Sequence, residues 1–499
     1  MRFLAFAVAV TTLASVTAPA RSAAQASASP PGVGATLSLS EAIALARRNN
    51  PAYQTSLNAR RTAAAQVRTA KGALLPSLST SFGGDYREGK TQILSGQTFG
   101  STNNSLSTSG SLNASLNISP SAFSDLRAVR SNQNATESDI GAAEQTLRTN
   151  VIVQYVAVLQ AQASANLQDT LLTTTAAQFE LAKAKLQVGT ATQLDVDRAD
   201  VANGTQRVAA LRAHNQVDIE KLRLFQQIGV EPMLSARLDS LPRGALPAEN
   251  VNQLLDMARR MNPALESARL RERQSEYSVS SARSRYFPSL SLSGGLSGYT
   301  NRYTDTDALI QNSRASIAGS KASCVRSEEV RAALSLSNNL AQCSALMFTS
   351  AQEAAIRDAQ AKYPFGFTRN PYSLSASLSL PIFNGFQRES NIQTATINRN
   401  NAQNAIRQQE LSLTADVTAA YLNLTTSQQA VQLQEQNAAT ARRALTLAQE
   451  RYRVGTISLV ELIQSRSDFG TAETSRISAV YDFQRAFAQL ESAVGRPLR

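Results

Sequence analysis

The sequence has no tryptophan and a single histidine, His214. One imidazole cannot build a multi-histidine metal site, and it leaves little room for His-based acid–base catalysis. On a stretch rich in Ala, Arg and Gln, His214 reads as a surface or interface residue. Cysteine is nearly absent as well. Cys324 and Cys343 are the only two, and neither follows the leader, which excludes lipid attachment at a mature N-terminal cysteine. In an exported chain the pair is either a disulfide or two free thiols. No run approaches the about 18 uninterrupted apolar residues of a membrane-spanning helix. β-Strands remain open as a way across a bilayer, because their signal is far weaker. No nucleophile–base pair, Gly-rich phosphate loop or metal-ligand cluster is present, so no catalysis and no cofactor are expected. The formal charge of +12 is spread singly and in pairs along helix-forming stretches. Without an arginine-rich tract or an aromatic platform, it does not point to nucleic acid. Solvated helix faces explain it; a charged lining of a water-filled channel is the other reading.

What is present begins with a leader. Arg2 is a basic start, Phe3 to Leu13 a short apolar core, and Ala24-Gln25-Ala26 an A-x-A cleavage pattern, giving a signal peptide over 1–26. A Ser/Ala/Pro-rich segment follows. Ser40 then reads as the N-cap of a helix, with Glu41 in its first turn.

The chain repeats itself. Ala46-Arg47-Arg48-Asn49-Asn50-Pro51-Ala52 returns as Ala258-Arg259-Arg260-Met261-Asn262-Pro263-Ala264, and Pro76-Ser77-Leu78-Ser79 returns as Pro288-Ser289-Leu290-Ser291. Such long-period duplication means two similar halves, 27–232 and 247–499, joined by a linker at 233–246 containing Pro242 and Gly244.

Four segments change from helical period to strict alternation, at about 76–88, 110–119, 288–299 and 371–381. Leu112, Ala114, Leu116 and Ile118 alternate with Asn113, Ser115, Asn117 and Ser119; the other three follow the same rule. Each therefore has one greasy and one wet face. Read as two isolated hairpins flanked by very long helices, they suit lipid outside and water inside a barrel. Each is near the about 9–11 residues that a tilted strand needs to cross. Four strands cannot close a barrel, and open edges cannot sit in lipid, so several chains must share one.

Two long helical hairpins complete the plan, at about 122–228 and 387–494. Their tips carry one phrase twice: Val188-Gly189-Thr190 and Val454-Gly455-Thr456. Gly takes the left-handed backbone that closes a helix, and the Thr after it is a candidate cap for the next. At 1.5 Å per residue the run from 122 to 187 spans about 100 Å. The halves differ chiefly at 301–370, an insertion holding both cysteines and a helical stretch near 327–336. Long connections on one side of a membrane barrel face the exterior.

This order, with the paired N-P-A helix ends, the P-S-L-S strand starts, Leu378-Ser379-Leu380-Pro381-Ile382-Phe383-Asn384-Gly385 and the two V-G-T tips, resembles the TolC-type outer-membrane efflux family across the mature chain. The resemblance implies a mainly α protein with a membrane β-barrel. Four strands per chain would contribute to a shared trimeric, twelve-stranded barrel in the outer membrane of a Gram-negative cell. The helices would continue it as a periplasmic tunnel. It also implies a homotrimeric exit duct of a tripartite pump, working with a periplasmic adaptor and an inner-membrane transporter. A type I protein-secretion duct is an alternative cargo reading, and a pore-less periplasmic coiled-coil scaffold a more distant one. By resemblance Val188, Gly189, Thr190, Val454, Gly455 and Thr456 meet the adaptor. Tyr452 matches a tyrosine tied through an aspartate, here Asp195, to a neighbouring coil. Glu461 and Gln464 match acidic rings at the closed entrance, the second being neutral here. Ile457 stands where the best-known relative has a tying arginine. The plain alternatives are a solvated helix acid at Glu461 and simple packing at Tyr452.

Overall fold

The computed structural model describes residues 36–89, 91–94, 97–101, 104–241, 246–337 and 339–498. The leader over 1–26 lies outside the described residues, as do Pro242 and Gly244 of the linker.

The first half runs β1 (Thr36–Leu37), α1 (Leu39–Asn49), α2 (Pro51–Gly72), β2 (Ser77–Arg87), β3 (Thr91–Leu94), β4 (Gln97–Ser101), β5 (Ser105–Ile118), α3 (Pro120–Gln187) and α4 (Gln193–Ile228). After β6 (Arg237–Leu238) the plan repeats as α5 (Val251–Met261), α6 (Pro263–Ser284) and β7 (Ser289–Tyr303). An insertion of α7 (Thr306–Ala333), α8 (Leu340–Ser344), α9 (Ser350–Ala361) and β8 (Thr368–Arg369) follows. The half ends with β9 (Ser373–Ser379), α10 (Gln387–Arg453) and α11 (Leu459–Val494). Among the described residues no helix is long and apolar enough to cross a membrane.

The compact units do not follow the two halves. Of the described residues, one takes in those up to 61, those of 135–269 and those from 405 on; the other takes in those of 62–134 and 270–404. Each takes corresponding pieces of both halves, because the long helices and strands of one repeat pack and pair with those of the other. The two repeats of the sequence plan and the two compact units are therefore different divisions of the chain.

In the first unit each repeat builds the same core. Leu37, Ala46, Val151, Tyr155, Leu224, Phe225 and Ile228 cluster in one; Leu254, Ala258, Val417, Leu424, Phe487 and Leu490 in the other. The duplicated Asn-Pro-Ala supplies the corner. The Asn50 side chain donates to Gln227 O at 2.7 Å and accepts from Tyr53 N–H at 3.0 Å. Asn262 likewise donates to Ala493 O at 3.2 Å and accepts from Leu265 N–H at 3.2 Å. One side chain thus caps the helix that Pro51 or Pro263 starts while holding the end of the returning helix. Ser38, not Ser40, caps α1: the Glu41 N–H donates to Ser38 Oγ at 3.3 Å and the Glu41 carboxylate accepts from Ser38 N–H at 3.0 Å. Only Ser38 places Glu41 three residues on, where the reciprocal box closes.

The segment expected to be a linker is partly structural. β6 pairs in parallel with β1, Thr36 opposite Arg237 and Leu37 opposite Leu238. The buried Tyr155 hydroxyl lies 2.9 Å from Leu37 O and 2.8 Å from Asp239 O, clamping both. Burial pushes its ionisation up to about 12.

In the second unit the four long strands form one sheet, not two isolated hairpins. β2 pairs antiparallel with β5, β5 with β7, and β7 with β9. The register aligns like with like. Leu112 faces Leu296 and Leu116 faces Leu292 on one side; Ser111 faces Ser297 and Ser115 faces Ser293 on the other. The wet side is laced by hydroxyl pairs, Ser81–Ser111 at 2.8 Å and Ser293–Ser375 at 2.6 Å. β5 starts five residues before its expected place, because Ser105 to Ser109 continue the ladder against β2 and β7. The expected helix near 327–336 grows into three, α7 to α9. Cys324 on α7 and Cys343 on α8 are joined, with Cα atoms 5.5 Å apart.

Candidate functional site

The hairpin tips lie in the first unit. α3 and α10 end alike. Gly189 and Gly455 take φ +77° and +83°. Thr190 N–H donates to Lys185 O at 2.8 Å and Gly189 N–H to Leu186 O at 3.0 Å; Thr456 to Arg451 at 2.9 Å and Gly455 to Tyr452 at 3.1 Å repeat the pattern. This paired closure needs the left-handed residue that glycine supplies without a Cβ clash. The two threonines do not open the next helix. Their hydroxyls donate backwards, to Lys185 O at 3.2 Å and Arg451 O at 3.1 Å. The caps are Thr192 for α4 and Ser458 for α11, because two more residues are needed to turn the chain.

Beneath the turns the two hairpins share one apolar cluster containing Ala182, Val196, Ala448, Tyr452, Leu459 and Leu462, with Ile457 and Ile463 against it. Above it the tips are bare: Val188 is 73% and Val454 69% exposed. Gly189, Thr190, Gly455 and Thr456 are exposed as well. An open, largely apolar groove of about 450 Å³ beside the first tip is lined by Leu194, Asp197, Arg198, Val201, Ala202 and Ile463. Nothing in the sequence reading singled out this groove; exposed Leu194 and Val201 on one helix face were its only signal.

Of the predicted gate residues, Asp195 and Glu461 occupy the same place in the two repeats, the third residue after the cap. They are used differently. The Asp195 carboxylate accepts from Thr192 N–H at 3.0 Å and from its hydroxyl at 2.8 Å. These bonds hold its carboxyl below the usual range. At Ser458 only half of the box forms: Glu461 N–H donates to Ser458 Oγ at 3.3 Å. Among the described residues the Glu461 carboxylate makes no hydrogen bond or ion pair, and it is exposed. Gln464 is exposed too, its amide donating to Asp468 at 2.8 Å.

Tyr452 is buried at 5% exposure. Its ionisation is pushed up by burial first and by the Asp195 charge second. Among the described residues no hydrogen bond joins the two. Instead the Lys185 ammonium lies 4.2 Å from the Tyr452 ring centre and donates to the Tyr452 carbonyl, linking α3 to α10. Ile457, where a tying arginine was noted as missing, packs into the shared cluster. His214 lies on the surface, its Nε2 3.0 Å from an Asp169 carboxylate oxygen. Among the described residues no metal-holding cluster exists.

Long hairpins with glycine tips, and a sheet whose four long strands are greasy on one side and wet on the other, make up a plan that known proteins share. The family model for outer membrane efflux proteins matches residues 42–230 and 361–496, and the chain belongs to that family. It is 22% identical over 463 residues to outer membrane protein TolC of Vibrio cholerae, covering 92% of this chain and 90% of that protein. Two solved structures share the fold. The CmeC outer membrane channel of Campylobacter jejuni superposes with a TM-score of 0.66 at 17% identity, over 92% of this chain and 85% of that one. The open-state MtrE outer membrane channel of Neisseria gonorrhoeae gives 0.65 at 19%, over 92% and 89%. The protein is thus an outer-membrane efflux channel, and a channel family points away from catalysis.

Proposed function

We propose that three copies of this chain close their sheets into one twelve-stranded barrel, with the helical hairpins forming a periplasmic tunnel. The observation that carries this is the sheet itself. Among the described residues β2 and β9 are its long outer strands, each with a free edge, and Leu78 and Leu378 are 72% and 70% exposed on its greasy face. Unpaired edges and that much apolar surface are costly in water, and unpaired edges are forbidden in lipid. Closure with other copies satisfies both. The duct receives cargo at the hairpin tips from a periplasmic adaptor and an inner-membrane transporter, and conducts it outward without chemistry of its own.

The tips divide the labour. Val188-Gly189-Thr190, Val454-Gly455-Thr456 and the groove at Leu194 and Val201 meet the adaptor, being exposed and apolar over a rigid closed turn. Glu461, whose carboxylate is free of the cap, forms a ring of three carboxylates at the axis that attracts cations; Gln464 forms a neutral ring behind it. Tyr452 and Asp195 tie neighbouring coils in the closed state.

Native mass of the detergent-extracted protein, followed by single-channel recording in a planar bilayer, tests the reading. A trimer with small, cation-blocked openings is expected. A monomer without conductance would overturn it. Gly189→Arg is expected to abolish adaptor capture while the trimer persists; unimpaired capture removes the tip from the docking surface.

A further inference from the structure

The insertion between β7 and β9 does not simply stand beyond the strands. Its last segment turns back across the greasy face of the sheet. In the ladder, Phe82 pairs with Gly110 and Gly110 with Gly298, so these three share the apolar side. Phe367 meets the Phe82 ring edge to face at 5.6 Å. A Cβ built on Gly298 would lie 3.6 Å from Phe367. One step outward on the same face, the Thr108 hydroxyl lies 3.1 Å from the Tyr363 hydroxyl. The cover is one-sided. Thr300, on the greasy face, is 5% exposed, while its neighbour Tyr299, on the wet face, is 42% exposed. Lower on the greasy face Leu374 is bare again at 80%.

Phe365 sits between the two anchoring rings and is 85% exposed. A tight turn holds it there. Phe365 N–H donates to Lys362 O at 3.0 Å and Gly366 N–H at 2.8 Å. Gly366 is required, since a Cβ there would come within 2.6 Å of the Lys362 side chain. The Lys362 ammonium stays at the surface, 2.5 Å from Asp358.

The opposite end of the strands has its own exposed apolar band: Phe287, Ile382, Phe383 and Phe386 are 61 to 91% exposed. From Phe287, just before β7, to Gly298 within it is about a dozen residues. At about 3.3 Å each and a tilt of about 40°, they rise about 30 Å, close to the apolar height of an outer-membrane barrel with its girdles.

We propose that Tyr363–Phe367 is a lipid anchor, with Phe365 seated at the headgroup–acyl boundary of the outer leaflet and Lys362 reaching to the headgroups. The insertion thereby supplies the outer aromatic girdle of the barrel wall. This rests on the greasy face being the lipid face, as in the function proposed above. Aromatic rings and a neighbouring long cation are the chemistry that such a boundary favours.

The absence of tryptophan makes the test direct. Single substitutions Phe365→Trp and Leu78→Trp are made in the full-length protein, which is checked for native oligomer mass and reconstituted in vesicles. Emission is read against phospholipid brominated on its acyl chains and against aqueous iodide. Expected is loss of emission with brominated lipid at Phe365→Trp comparable to that at Leu78→Trp, with little iodide quenching at either. Iodide quenching at Phe365→Trp alone overturns the anchor and leaves the wall reading intact. Protection from both quenchers at Phe365→Trp places it against another protomer and also overturns the anchor. Iodide quenching at Leu78→Trp overturns the wall reading and the anchor with it. Tyr363→Trp reads the same segment where Phe365→Trp fails to assemble.

Discussion

Gly204 lies within α4 and Gly229 just past its end, and the two answer to different physics. Gly229 closes α4 with φ +84°, and a Cβ there would stand 2.6 Å from the Asn49 carbonyl oxygen. Gly204 is helical and has nothing within 4 Å of a built Cβ. Gly229→Ala is therefore expected to destabilise by about 2 kcal/mol or more, through both strain and clash. Gly204→Ala should stabilise by about 0.5–1 kcal/mol by restricting the unfolded chain. Thermal unfolding of the protein reads both, and equal effects would contradict the corner geometry. Asp195 adds a pH dependence. Its folded carboxyl titrates below the ordinary value, so its contribution is full above that value and is lost as pH falls through the lowered one. Asp195→Asn should remove this acid-side loosening at the start of α4, seen as amide exchange that no longer quickens on acidification. Glu461→Gln is expected to weaken cation block of the closed channel; unchanged block in bilayer recordings counts against an axial carboxylate ring.

At the scale of elements, the β1–β6 join is the piece that a linker reading overlooked. Two residues per strand are too few for periodicity to register, and their pairing partners lie some two hundred positions apart. Tyr155 holds them, and its raised ionisation gives the sign of the alkaline effect. The folded state keeps its proton while the unfolded chain loses it near 10, so stability falls as pH rises from there toward about 12. Tyr155→Phe should cost about 1 kcal/mol near neutral pH by leaving the two carbonyls short of a donor, and should blunt the alkaline fall. Denaturation followed across that range checks it. The long helices were legible because unbroken Ala- and Gln-rich stretches end at Gly189 and Gly455, and the bounds of α10 match their expected start and the tip turn. The insertion was less legible. Its helices are short or of mixed composition, so only part of α7 stood out.

For the whole molecule, repetition matters most. Two copies of one plan give equivalent corners at Asn50 and Asn262, equivalent turns at Gly189 and Gly455, and equivalent acids at Asp195 and Glu461. Sequence comparison shows those acids as a matched pair. Only the folded chain shows one bound into its cap and the other released, which is why the second is the better candidate for an axial ring. A double variant, Tyr452→Phe with Asp195→Ala, should raise single-channel conductance if these residues tie neighbouring coils. Unchanged conductance leaves Tyr452 as packing alone, with Lys185 as its partner.

The sequence by itself determined the local rules: where the long helices end at their glycine turns, which strand face is greasy, and that the plan occurs twice. These are short-range consequences of glycine, proline, caps and period, and they survive without knowledge of the partners. Only the tertiary structure decided which strands pair across the repeats, which carboxylate is left free, and that the insertion returns over the apolar face of the sheet. Those depend on contacts between residues tens to hundreds of positions apart, where the chain's periodicity carries no information about who meets whom.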